Sequence, residues 1–433
     1  MSLRKIFYNT VYRTYNDRLS FETLYPEVLK GLNDRDKRRL INLVNLFFRN
    51  FNFLEKFLAD KVENNIPDQD LKTEILILCA GIEYFWLDSS TDYSVVNDFV
   101  ELSKEVLGEK KSKYINAILR KMTSVTMTEE DKSSKQAIYG SHPQWVTDKL
   151  IEQYGKPVTE DIYRFNQTVP PLYARANRVK NDRDGLAEIL ESEGVETAEV
   201  ENFPDFLEIK SGNAVNSKAL RDGRFYIQDP SHSVPVLLLD PHANEKILDL
   251  CCAPGGKSTY IQEISGNSAR LWLNDISQKK RVIIKLNFKR LGLIFDKLSF
   301  QEAQKFQEFI EFDKILIDAP CTGSGNFRRH PESRWNKSEE MLSELKKLQL
   351  AILKRATIYV RKGGSIVYST CSIFQEENMD IVKAFLEHEG DFAIDTPDIA
   401  LLEPFKNQDG SFSVIPGVHG HEGAFAVRLK RVR

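Results

Sequence analysis

The chain has 433 residues, 41% hydrophobic and 28% charged, with a formal net charge of −3 and a sequence pI near 6.3. That length exceeds one typical core and predicts two or three domains of ordinary globular composition. The charge balance excludes a globally basic nucleic-acid binder, so any such surface must be a local basic patch.

Residues 1–124 read as helical. Leu40, Leu43, Val44, Phe47, Phe48, Phe51, Leu54 and Leu58 recur at the three-and-four spacing of one apolar helix face, and Leu71, Ile75, Leu78 and Ile82 continue it. Val95, Val96, Phe99 and Val106, then Ile115, Ile118 and Leu119, form further stripes, all expected to be core. The apolar run 76–87 is short and interrupted by Glu83, which predicts a buried helix and no membrane span. Residues 125–140 are polar and read as a linker. A small α+β layer is expected over 141–234: a helix from His142-Pro143 to Gly155, strands at 172–176, 198–200, 206–210 and 225–228, and a helix near 186–190.

From 235 to 433 the rhythm is strand, turn, helix, with strands predicted at 246–250, 271–274, 297–300, 314–318 and 365–369 and helices at 278–291 and 338–359. Such alternation predicts a parallel sheet covered on both faces, a Rossmann-like α/β domain, with a closing strand at 423–430. Reactive residues in such sheets gather where strands end. The first strand opens into Cys252-Ala253-Pro254-Gly255-Gly256-Lys257-Ser258. Position 251 is cysteine where a Walker loop needs glycine, and the dinucleotide glycine pattern also fails. Asp275 ends the second strand, where a carboxylate can accept both hydroxyls of a ribose. A ribose site without a pyrophosphate cradle suits S-adenosyl-L-methionine better than NAD; a helix cap is the structural alternative for Asp275.

Five cysteines with no disulfide-like framework, and an N-terminus without an apolar signal core, predict a reducing, cytoplasmic setting. No Cys/His pairs recur at zinc spacing, so no metal is expected. A buried cysteine is ordinarily a small apolar side chain, and Cys79 fits that reading. Cys321 and Cys371 differ, because each follows a strand and precedes a sharp turn, in Asp318-Ala-Pro320-Cys321-Thr-Gly-Ser-Gly and Ser-Thr-Cys371-Ser. Two thiols at neighbouring strand ends beside a methyl donor suit methylation of a pyrimidine at carbon 5, which is inert until a thiolate adds at carbon 6. Asp318 is placed to hydrogen-bond ring nitrogen 3 as charge builds, with an Asx turn as its structural alternative, and Lys257 is a weaker candidate for favouring the thiolate.

These motifs resemble the RNA cytosine-5 methyltransferases, most closely the bacterial 16S ribosomal RNA enzymes of the Sun/Fmu family. Tyr93-Ser-Val-Val-Asn97 and Ile115-Asn-Ala-Ile-Leu-Arg120 are similar to that family's NusB-like RNA-binding domain, Phe225-Tyr-Ile-Gln-Asp-Pro-Ser231 to its entry into the catalytic domain, and Arg328-Arg329-His330-Pro331 with Trp335 to a segment of the ribosomal branch. The resemblance implies Cys371 as attacking thiol, Cys321 as the group promoting release, Asp318 as cytosine contact, and residues 252–258 with Asp275, Asp318 and Pro320 around the methyl donor. Small-subunit ribosomal RNA is the implied partner of a monomer. Arg328, Arg329 and Arg175 are expected to contact it, with Arg38, Arg39 and Arg120 on the helical domain. The third strand ends in Phe300-Gln301-Glu302 where the family usually has aspartate, so Gln301 or Glu302 is the candidate substitute for the adenine-side contact, and the choice stays open. Transfer RNA, large-subunit RNA or a non-enzymatic assembly role remain alternatives.

Overall fold

The computed structural model describes residues 2–87 and 92–433, apart from 64, 65, 67 and 68, with the backbone alone at Asp92. It contains two compact units, Met1–Thr168 with Phe327–Ser338, and Val169–Asn326 with Glu339–Arg433.

The first unit is helical: α1 (Leu3–Asn16), α2 (Phe21–Val28), α3 (Asp34–Lys61), α4 (Leu71–Trp86), α5 (Asp92–Leu107), α6 (Glu109–Met122), α7 (Glu129–Ser133), α8 (Lys135–Gly140) and α9 (Gln144–Gln167). Side-chain oxygens of Ser2, Ser20, Asn33 and Asp70 accept from the first-turn amides of α1 to α4, which is why those helices start where they do. The apolar stripe of α3 is buried over its whole predicted length, and Phe53 and Phe57 widen it. Gly81 lets α4 approach α3, since a Cβ there would lie 2.9 Å from Leu54 Cδ2. The supposed linker at 125–140 is instead mostly helical: α7 starts with a capping box between Thr128 and Asp131, Ser134 caps α8, and Ala137 and Ile138 are buried.

Helix α9 packs within this unit. It continues past Gly155, whose φ of 75° accommodates a kink. The reason for its position is the segment Phe327–Ser338. Arg334, fully buried, donates to the carbonyls of Ser141 (3.1 Å), Asn166 (2.7 Å) and Phe327 (2.9 Å). Trp335 donates to the Phe48 carbonyl at 2.8 Å and packs 4.5 Å from the Phe51 ring.

The second unit holds two sheets. Strands β1 (Leu172–Ala176), β2 (Glu196–Glu199), β3 (Phe206–Ser211) and β4 (Phe225–Ile227) form an antiparallel sheet in the order β2-β3-β1-β4. Strands β5 (Lys246–Asp249), β6 (Arg270–Asn274), β7 (Lys297–Ser299), β8 (Phe312–Asp318), β9 (Val360–Thr370), β10 (Phe392–Ile394), β11 (Phe412–Val414) and β12 (Ala424–Arg431) form the larger one. Its order is β10-β12-β9-β8-β5-β6-β7, with β11 also on β12. The block β7-β6-β5-β8-β9 is parallel, and β12 runs antiparallel to β9. Chain order reverses at β5, between β6 and β8, which is the topological switch where a crevice opens at the carboxyl ends of the strands. The two three-residue strands β10 and β11 have no counterpart in the sequence reading.

Candidate active site

A cavity of about 370 Å³ opens at that switch, lined by residues that follow four parallel strands. Cys251 follows β5, Asp275 follows β6, Asp318 ends β8 with Pro320 and Cys321 beyond it, and Cys371 follows β9. Register explains how the thiols meet. Asp318 pairs with Ser369, so Cys321 and Cys371 leave adjacent strands at the same level. Their sulfur atoms are 3.3 Å apart. The contact with Cys371, together with burial, pushes the Cys321 thiol well above its ordinary pKa, so Cys321 rests as the neutral thiol.

Asp318 accepts a 2.6 Å ion pair from Lys257 Nζ. Burial alone would lower the Lys257 pKa, but the Asp318 charge more than reverses this and the ammonium form is favoured; Cys371 adds to the same field. Beneath them Asp249 is buried and accepts from Ser258 Oγ at 2.5 Å; burial pushes its pKa up to about 7.

The glycine turn begins a helix, Gly256–Ile264, with Gly255 at φ 105°. Asp275, only 8% exposed, accepts from Ala253 N (3.1 Å) and Ser277 N (2.9 Å), so it both ties the turn to β6 and caps its own loop. Arg175 corrects an expectation. It is fully buried and cannot reach RNA. It bridges Glu263 through two bonds of 3.0 and 2.9 Å, donates to the Gly256 carbonyl at 2.8 Å, and also bonds Gln228. A Cβ at Gly256 would lie 3.1 Å from Gln228, which explains the second glycine of the turn.

Other expected contacts fall elsewhere. The Gln301 amide is bonded to the Gln307 backbone at both ends, and Ala303 and Gln304 line the cavity in its place. Cys252 is buried in the core beside the turn, and it is Cys251 that borders the cavity. Gly255, Gly256, Lys257 and Ser258 shape the turn or the floor without bordering the cavity themselves. Arg328 lies 4.3 Å over the Phe165 ring and its carbonyl accepts from Arg49, and Arg329 is half-buried. Arg39 is paired with buried Glu83 at 2.8 Å, while Arg38 and Arg120 are exposed.

Glu377 was missed. Fully buried after β9, it accepts from Thr322 N (2.8 Å), Thr322 Oγ1 (2.5 Å) and Gln349 Nε2 (3.0 Å), and Gln349 also holds the Pro320 carbonyl at 2.9 Å. Gly325 and Gly423 were missed too. Gly325 N donates to the Cys371 carbonyl and Gly423 N to the Gly325 carbonyl, each at 2.9 Å.

Comparison with known proteins decides the family. The description 16S rRNA methyltransferase RsmB/F matches residues 236–430, a Methyltr_RsmF/B-like ferredoxin-like domain matches 142–216, and the NusB family matches 1–124. The chain belongs to the RsmB/F methyltransferase family. It is 29% identical to a probable ribosomal RNA small subunit methyltransferase B of Bacillus subtilis, over 99% of both chains. It is also 29% identical to ribosomal RNA small subunit methyltransferase B of Proteus mirabilis, over 95% of this chain and 97% of that one. The solved structure of PH0851 superposes with a TM-score of 0.81 at 24% identity over 99% of each chain, which is a likeness of fold. Membership in the RsmB/F family carries its activity, methylation of ribosomal RNA, and its cofactor, S-adenosyl-L-methionine. The cavity fits that cofactor: it sits at the switch point, is mostly apolar, and offers one buried carboxylate, Asp275, at the strand end suited to a ribose. Among the described residues no cluster suited to a metal ion occurs, and no helix is long and apolar enough to cross a membrane.

Proposed function

We propose that the protein methylates carbon 5 of a cytidine in 16S ribosomal RNA through a covalent cysteine adduct. The observation that carries this reading is the pair of thiols 3.3 Å apart, bordering one cavity with Asp318 and Asp275. The helical domain at 1–124 would grip the RNA, and the target base must leave its stack to reach the thiols.

In this mechanism Cys371 attacks as the thiolate, the nucleophilic form of the group. Its sulfur bonds to carbon 6 of cytosine, and the electron pair of the 5,6 double bond shifts into the ring. Asp318, once it has taken the proton it shares with Lys257, donates a hydrogen bond toward ring nitrogen 3 and stabilises the charge that gathers there. S-adenosylmethionine supplies the methyl group as an electrophilic carbon on a sulfonium. Once carbon 5 is methylated, a base removes its remaining proton, the double bond re-forms, and the carbon–sulfur bond breaks to return the Cys371 thiolate. Cys321 promotes that release, directly or through water, a role its contact with Cys371 supports.

Cys371→Ala is expected to abolish methyl transfer to 16S rRNA. Cys321→Ala is expected to form the bond to carbon 6 and fail to break it, leaving protein–RNA adducts on a denaturing gel. Full activity of Cys371→Ala, or adducts that require Cys321, would remove the mechanism; mapping the product by bisulfite sequencing tests the base and the RNA.

A further inference from the structure

Between Asp275 and Asp296 the chain carries Lys279, Lys280, Arg281, Lys285, Lys289 and Arg290 and no acidic residue. These residues occupy a short turn, Gln278–Lys280, and the helix Arg281–Leu291. Ile284, Phe288 and Leu291 anchor the helix in the core, and Arg290 turns inward to the carbonyls of Leu220 and Phe225. Lys279, Lys280, Arg281, Lys285 and Lys289 are exposed, and among the described residues none has a carboxylate partner. Other basic clusters are partly neutralised: Lys37 by Asp34, Arg39 by Glu83, Lys111 by Asp70 and Lys121 by Glu63.

Arg281, Lys285 and Lys289 stand four residues apart and therefore share a face, a row about 12 Å long at helical rise. Like charges at this spacing repel and weaken a helix, so the row gains from an external counter-charge. Its position adds to this. Lys280 borders the cavity together with Ile276 and Ser277, and Asn287 donates to the Pro254 carbonyl of the glycine turn at 3.1 Å. The row thus starts at the cavity mouth on an element tied to the cofactor turn.

We propose that this helix is a track for the RNA backbone beside the active site, with Arg281, Lys285 and Lys289 meeting successive phosphates. The proposal rests on the RNA-methyltransferase reading above. Exposed Val282, Ile283 and Leu286 on the same helix offer apolar surface to sugar and base faces.

The test uses the full-length Lys285→Glu/Lys289→Glu variant with protein-free 16S rRNA. Binding is measured from about 50 to 300 mM salt, since each phosphate contact contributes about 0.7 to 0.9 to the slope of log affinity against log salt. The expected result is RNA affinity lowered about tenfold or more near 100 mM salt, a slope shallower by about 1.5, a raised KM for RNA with kcat kept, and calorimetric affinity for S-adenosylmethionine unchanged. Lys285→Arg/Lys289→Arg should restore the affinity. Wild-type binding with an unaltered slope in the glutamate variant would overturn this proposal alone. Wild-type protein that binds no RNA would overturn it together with the reading it rests on. A variant impaired only on assembled subunits, with naked-RNA binding intact, would assign the face to a protein partner and overturn the track.

Discussion

At the scale of single residues, Glu377 ties together the two loops on which the chemistry depends. Its carboxylate holds the amide and hydroxyl of Thr322, next to Cys321, and itself follows the strand that delivers Cys371. Glu377→Gln keeps the shape but removes the charge, so the bonds from Thr322 and Gln349 are no longer charge-assisted and the Thr322 hydroxyl must turn to accept the new amide donor. A misplaced charge-assisted hydrogen bond costs about 1.5–3 kcal/mol, or roughly ten- to a hundredfold if expressed in one step. The expected outcome is slowed product release with protein–RNA adduct accumulating, while a first turnover still forms the adduct. Wild-type release rates in this variant would deny Glu377 a positioning role. His142 gives a pH-dependent counterpart. It stacks on Tyr163 at 3.8 Å, with Nδ1 on Ser141 Oγ (2.7 Å) and Nε2 on the Asn166 amide nitrogen (3.0 Å). An amide nitrogen only donates, so Nε2 must accept and the ring is neutral. Burial, with Arg334 nearby, drives its pKa well down. Below the unfolded value of about 6.5 the unfolded chain binds a proton that the folded one refuses, so this contribution is present above that pH and declines as pH falls toward the folded pKa. His142→Phe should flatten the drop in Tm between about pH 7 and 5; an unchanged slope would exclude His142 as its source.

At the scale of elements, the site is held by two glycines facing each other. A Cβ on Gly423 would lie 2.5 Å from Gly325 Cα and 2.7 Å from Ile373 Cγ2, and the first of these is backbone that cannot swing away. Gly423→Ala should therefore destabilise by about 1–3 kcal/mol, as overpacking does, and separate β12 from the loop after Cys321. A lowered Tm with lost methyl transfer is the expected pair of readings, and a fully active variant at wild-type Tm would contradict this packing. The sequence reveals this region unevenly. Strand ends carrying Asp318, Cys321 and Cys371 are legible because apolar runs stop abruptly at proline, glycine and serine. Gly423 was legible only as part of a closing strand, since nothing local announces what its backbone touches. Glu377 sits in Gln375-Glu376-Glu377-Asn378, which reads as a solvated acidic turn. Helices α7 and α8 escaped because five or six residues are too few to display a period.

At the scale of the whole molecule, the first unit is discontinuous in sequence, and this is the feature least visible beforehand. Arginine is rarely buried, so Arg334 reads as surface; the structure places it where three carbonyls converge. Arg334→Ala would leave those oxygens without donors and is expected to cost about 3 kcal/mol or more. Denaturant unfolding followed by Trp335 fluorescence measures this, and a loss near zero would show the carbonyls to be satisfied otherwise. Residues 1–168 produced alone should likewise melt below the same residues in the full chain, for want of Arg334 and Trp335. Ribosomes make proteins from the amino end, and domains generally fold as they emerge. Here the helical layer cannot close on Phe48 and Ser141 until the chain has been extended as far as Ser338. During that interval its phenylalanine-rich interior is incompletely covered, so nascent chains stalled before this point should be the ones that chaperones retain and proteases cut.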